Sequence, residues 1–155
     1  VGTNHPSVAV CLGILAATYE AMGRVDDAVR EYKDLVQLWK ELAGGEEGPN
    51  AAAVRLCIVR ALWGVQRYGE IPEHVAECVR AREKAFGSVH VATAEALVWS
   101  AHTNFVGLQE FQQAAAQYRR CLEVFEANAD AAQAASTRFS LANCLRDGGH
   151  RKEAL

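Results

Sequence analysis

The chain has 155 residues, half of them hydrophobic and 23% charged, which suits one globular domain or a short repeat array and excludes a disordered or fibrous chain. Sixteen Lys and Arg against 19 Asp and Glu give a formal charge of -3, so neither nucleic acid nor an anionic membrane is expected as a partner. The five cysteines, Cys11, Cys57, Cys78, Cys121 and Cys144, are odd in number and sit in apolar helical text, which points to a reducing, cytoplasmic compartment rather than a secreted disulfide scaffold.

The longest apolar stretch, residues 8–17, contains Gly13 and falls well short of the roughly 18 residues needed to cross a bilayer. No basic-then-apolar leader is visible, and the chain starts without Met and stops inside a repeated motif, so it reads as a piece of a longer protein.

In chain order, the apolar periodicity predicts helices near 6–21, 25–42, 49–66, 72–86, 91–106, 110–127 and 131–146, with another from 151 onward. Pro6, Pro49 and Pro72 each stand where a helix begins, because the missing N–H costs least in the first turn. Turns are expected at Gly23, 43–49, Gly69, 87–89, 128–130 and 147–149. The 28 alanines favour close helix packing, and no run alternates with period two for long enough to make a sheet.

Comparison of the chain with itself shows an internal repeat. Leu15 to Ala28 matches Leu141 to Ala154 at an offset of 126, three times 42. At an offset of 46, Ala61, Leu62, Val65, Gly69 and Ile71 take the places of Leu15, Ala16, Tyr19, Gly23 and Val25, with His74 in the place of Ala28. At an offset of 86, Ala101, His102, Phe105, Gln109, Phe111, Ala114 and Tyr118 do the same. The expected organisation is a single array of helix pairs A and B, with repeats near 5–47, 48–88, 89–128 and 129–155, the last truncated. In helix B of the third repeat, Phe111, Ala114, Ala115, Tyr118, Cys121, Leu122 and Phe125 form a one-sided apolar stripe that a lone pair cannot bury, so neighbouring pairs must stack into a right-handed solenoid.

This pattern resembles the tetratricopeptide repeat (TPR) family. The positions that carry it are Leu12, Leu15, Ala16, Tyr19, Ala28, Tyr32 and Leu35 in the first repeat, and Val98, Ala101, His102, Phe105, Ala114, Tyr118 and Cys121 in the third. The long period, the opening His5-Pro6-Ser7-Val8-Ala9 and the string Arg80 to Gly87 resemble the long-helix subclass of kinesin light chains. HEAT and armadillo repeats have a similar period and are the competing architecture. The resemblance implies an all-α, TPR-like α-solenoid.

Catalytic and metal readings find little support. His74 and Cys78 lie one helical turn apart, but no CxxC, HExxH or second pair completes a zinc site. No phosphate-binding glycine loop or nucleophile elbow is present, and Gly44-Gly45-Glu46-Glu47-Gly48 is too acidic to cradle phosphate. The chain is expected to be no enzyme and to hold no cofactor or metal.

In the family resembled, the face of helix A turned away from helix B lines a groove for a partner segment. Carried over by register, the lining positions are Val10, Gly13, Ala17 and Glu20; Leu56, Val59, Trp63 and Gln66; Ala96, Trp99, Thr103 and Val106; and Ser136, Phe139, Asn143 and Arg146. The binding site is therefore expected at Val59, Trp63, Gln66, Trp99, Thr103, Val106, Phe139, Asn143 and Arg146, for a protein or peptide segment with apolar or aromatic anchors. Burial of Trp63 and Trp99 between adjacent A helices is the alternative. Only Asn143 and Arg146 resemble part of a carboxylate clamp, and the paired Asn positions of kinesin light chains are absent. The function expected is a protein-interaction scaffold or adaptor in a cytoplasmic, cytoskeletal or ciliary protein. The alternatives are a permanently incorporated subunit of a microtubule-based assembly, or repeats that regulate a motor or enzyme elsewhere in the chain.

Overall fold

The computed structural model describes residues 6–153, with side chains through Gly149. Seven α-helices follow one another: α1 (Pro6–Ala21), α2 (Val25–Leu42), α3 (Pro49–Gly64), α4 (Ile71–Phe86), α5 (Val91–His102), α6 (Phe111–Ala127) and α7 (Ala131–Glu153). A 3-10 turn, Tyr68–Glu70, precedes α4, and a π turn, Thr103–Gly107, extends α5. No strand occurs among the described residues. The chain has two compact units, Val1–Ala85 and Phe86–Leu155.

In the first unit, α2 packs against both α1 and α3. Ala9, Leu35 and Leu38 are buried together, with Val8, Leu12, Trp39 and Val54 packed around them. α4 lies on α3, where the Cys78 thiol donates to the Ala52 carbonyl at 3.3 Å. In the second unit, α6 packs against both α5 and α7 around Ala101, Ala114, Ala115, Tyr118 and Cys144. The small residues Ala16, Ala28, Ala101 and Ala114 are all fully buried, since only a methyl group fits where helix backbones approach this closely.

The turns between helices A and B set the true register. Gly23, Gln66 and Gln109, at 43-residue steps, all adopt left-handed backbone, with φ of 73°, 61° and 59°. The residue after each is an N-cap in nearly the same conformation: Arg24, Arg67 and Glu110. A long-range turn hydrogen bond closes the first two, from Arg24 N–H to Tyr19 at 2.9 Å and from Arg67 N–H to Leu62 at 3.0 Å. In the third, Glu110 N–H reaches one residue further back, to Asn104 at 2.7 Å, because the π turn accommodates an extra residue.

Three expectations are corrected by this frame. First, the second A–B turn lies at Gln66 rather than Gly69, so α3 ends at Gly64 instead of 66. The 3-10 turn then makes up the three residues that the 46-residue alignment had inserted. Ile71, fully buried, takes the place of Ala28, and His74 falls at the position of Glu31 and Gln117. The equivalence is confirmed by the Cys121 thiol, 43 residues after Cys78, which donates to Ala94 as Cys78 does to Ala52. Second, α5 begins one residue early relative to the 86-residue alignment and regains step through the π turn, which places Ala101 rather than His102 at the position of Ala16. Third, no turn forms at 147–149: α7 runs through to Glu153. Gly148 permits this, because a Cβ there would lie 2.8 Å from the Phe111 Cβ, so its bare backbone rests directly on the first residue of α6.

Candidate partner-binding faces

The nine residues expected to line one groove fall into three groups. Val59 and Thr103 are 0% and 1% exposed and cannot meet a partner. Val59 occupies the core position of Ala16, three residues out of the assumed register, and the exposed face position there belongs to Arg60. Thr103 opens the π turn and folds its hydroxyl back onto the Trp99 carbonyl at 2.8 Å. Trp63, Trp99 and Asn143 are half-buried. Trp63 meets the edge of Tyr68 at 4.9 Å, and Trp99 lies 6.4 Å from His102. Gln66 is exposed but is the left-handed turn residue, while Val106, Phe139 and Arg146 are exposed on helical or π-turn backbone.

Phe139 stands out, being 71% exposed. α7 turns Ala134, Thr137 and Cys144 into the α6 contact, a stripe at helical spacing that leaves Ser136, Phe139, Asn143 and Arg146 on the opposite side. Arg146 pairs with Asp147 at 3.0 Å, so it is already engaged by a carboxylate. Val59, Trp63 and Gln66 belong to the first unit, and Trp99, Thr103, Val106, Phe139, Asn143 and Arg146 to the second.

A second concavity was not foreseen from the sequence. An open cleft of about 820 Å³ lies between α6 and α7, lined by Phe111, Ala115, Arg119, Cys144, Leu145 and Gly148. Leu145 is 48% exposed at its wall.

The most buried polar cluster described in the first unit, around Arg55, is structural. Arg55 of α3 binds the Glu47 carboxylate through two nitrogens, one at 2.9 Å, and its third nitrogen donates to His74 Nδ1 at 3.1 Å. Because arginine has no acceptor, that contact puts the imidazole proton on Nε2. Burial first, then Arg55 and Lys33, push the His74 pKa down, against Glu73 and Glu47. Burial raises the thiols of Cys57 and Cys144, and holds Cys78 at about 11 and Cys121 at about 12, so these sulfurs stay protonated and are poor nucleophiles. No group of three or more His, Cys, Asp and Glu ligands comes together among the described residues, and none of their helices is long and apolar enough to cross a membrane.

The family model described as tetratricopeptide repeat matches residues 8–50, which span most of α1, all of α2, the loop after it and the first two residues of α3. Among solved structures, the crystal structure of BtubC (BKLC) from P. vanneervenii is similar, with a TM-score of 0.69 at 15% identity. The match covers 94% of this chain and 63% of that one, and at such low identity it shows the fold alone. No curated protein matches the sequence significantly. Residues 8–50 thus match the tetratricopeptide repeat model, and the chain has a TPR-like fold of antiparallel helix pairs.

Proposed function

We propose that the chain is a protein-interaction module whose exposed helix-A faces take a partner segment with apolar or aromatic anchors. Tetratricopeptide repeats suggest that class of function, and they are generally non-catalytic scaffolds. The observation that carries the finer reading is Phe139, a large aromatic ring on an ordered helix with Asn143 and Arg146 one and two turns on. A ring held in water by a rigid backbone supplies contact area at little ordering cost, as interface anchors do. Arg60 replaces Val59 on the corresponding face of α3, beside half-buried Trp63. The 43-residue step also supports the long-period, kinesin-light-chain-like subclass.

The test is selection of binding peptides from a displayed random library on the intact chain, followed by titration of the enriched peptides against variants. Phe139→Ala is expected to weaken binding at least about tenfold, the range of an interface anchor, without lowering the melting temperature. Trp63→Ala and Trp99→Ala are expected to lower the melting temperature, because both rings are half-buried. Peptides that bind equally well to Phe139→Ala and Arg60→Ala would refute the helix-A reading.

A further inference from the structure

The loop between α2 and α3 is held to α4 by side chains. Gly44 and Gly45 leave α2 with left-handed φ of 79° and 95°, and Gly48 caps α3, so glycine backbone flanks Glu46 and Glu47 on both sides. The backbone hydrogen bonds of Gly44 and Gly45 run back to Glu41 and Lys40 of α2, and the Gly48 carbonyl accepts from Ala52 of α3. Among the described residues none reaches α4. Two side-chain ties do. The outer one, Glu46 to Lys84, lies in solvent, where an ion pair adds little. The inner one runs from Glu47 through Arg55 of α3 to Nδ1 of His74 in α4, and all three side chains are largely buried. Its last link differs from the rest: arginine is a permanent donor, so His74 closes the tie only while Nδ1 carries no proton.

We propose that His74 is a proton-operated latch on the 43–48 loop: the neutral ring holds the loop against α4, and the protonated ring releases it while α3 and α4 stay folded. A proton on Nδ1 turns the acceptor into a donor, so the hydrogen bond from Arg55 is lost and two cations face each other at 3.1 Å. Arg55 keeps the Glu47 carboxylate through its other two nitrogens, so the pair leaves His74 together and carries the loop with it. The charged groups around the ring are Lys33 from α2, Arg55 from α3, Glu47 from the loop and Glu73 from α4 itself. Burial, Arg55 and Lys33 work against a proton on the ring, while Glu73 and Glu47 favour it. The opposing set prevails, so the latch is shut at neutral pH and opens below the ordinary histidine value of 6.5. The second unit has no counterpart. Gln117 stands at the position of His74 there, and its amide, bonded to Asn104 and Ser100, does not titrate. Release brings the Glu47 carboxylate and the His74 ring into water, so this face of the first unit differs between neutral and acidic conditions.

The test follows the isotope-labelled intact chain by NMR between about pH 7.5 and about pH 4.5. The amide signals of Gly44, Gly45 and Gly48 and the His74 ring are expected to shift with one shared midpoint, while the amides of α3 and α4 keep their dispersion. Cleavage after Glu46 and Glu47 by a glutamate-specific protease, corrected for its rate on an unstructured peptide at each pH, should rise at least about fivefold from the neutral to the acidic end. His74→Gln, whose amide oxygen still accepts from Arg55 without titrating, should keep cleavage slow throughout and sets the baseline for the loop carboxylates. His74→Phe, which has no acceptor, should give fast cleavage at both ends. The wild-type titration decides the matter even where a variant fails to fold. Loop signals that do not follow the His74 ring, a flat cleavage rate, a response that survives His74→Gln, or loss of the α3 and α4 signals at the same midpoint would each overturn the proposal.

Discussion

Two tyrosines at one repeat position behave differently. Tyr32 in α2 donates its hydroxyl to Glu20 of α1 at 2.9 Å, whereas Tyr118 in α6, 86 residues later, is fully buried with an unpartnered hydroxyl. Val106 stands where Glu20 would, and Ser140 of α7 is near enough to affect the phenol but outside hydrogen-bond geometry. Burial pushes both phenols up, with Glu20 adding to the effect at Tyr32. The contrast extends to the rest of each unit. The first is tied by polar contacts through Tyr32, Arg55, His74 and Arg67, while the second is tied by the Asn104–Gln117–Ser100 network and the Arg138–Glu126 pair, has a bare glycine contact, and leaves a cleft open. The repeat motif thus dictates shape, and neighbouring residues decide whether a given ring is packing alone or packing plus a tie.

The largest loss should follow from breaking the polar tie of the first unit. Arg55→Met strands the nearly buried Glu47 carboxylate and removes the donor to His74, for an expected cost of about 2–3 kcal/mol in chemical denaturation. A cost near zero would mean that the cluster does not hold the unit. In the second unit, Gly148→Ala forces a methyl group into Phe111, and about 1–3 kcal/mol is expected from the displaced helix. Hydrogen exchange should then rise in α7 and stay unchanged in α2. The tyrosine comparison is sharpened by a matched pair of substitutions. Tyr32→Phe should cost about 1 kcal/mol, and Tyr118→Phe should be neutral or slightly stabilising because it deletes an unsatisfied buried hydroxyl. Equal effects in thermal melts would erase the distinction drawn here between the two positions.

The smallest effect expected is on pH dependence. The folded His74 pKa lies below its ordinary value of 6.5, so the unfolded chain takes up the proton first on acidification. The stabilisation from neutral His74 is therefore complete above about pH 6.5, declines below it, and levels off once the folded imidazole is also protonated. Denaturation at about pH 7.5 and pH 5.5 should show this slope, and His74→Gln should remove its share.

Much of the fold was legible. The proline-started helices and the A–B alternation follow from local periodicity, and α1 and α2 have the bounds expected of them. In the second repeat the expected register slips because it aligns Gly69 with Gly23, whereas in the third Gln109 aligns with Gly23 as expected and the shift comes from the π turn. Gln66 and Gln109 adopt the same left-handed geometry without being glycine, while Gly69 lies in the 3-10 turn. That slip moved Val59 onto the expected binding face. Of that face, Phe139 and Arg146 are exposed on α7, and the two tryptophans are divided between packing and solvent.

The sequence by itself determined the helical repeat, because hydrophobic spacing and small-residue positions are properties of neighbouring residues along the chain. Only the tertiary structure decided the register of the second and third repeats, the straight course of α7 and the open cleft beside it. Those depend on how a 3-10 turn, a π turn and the Gly148–Phe111 contact add or remove single residues of offset, a distinction that composition and periodicity average away.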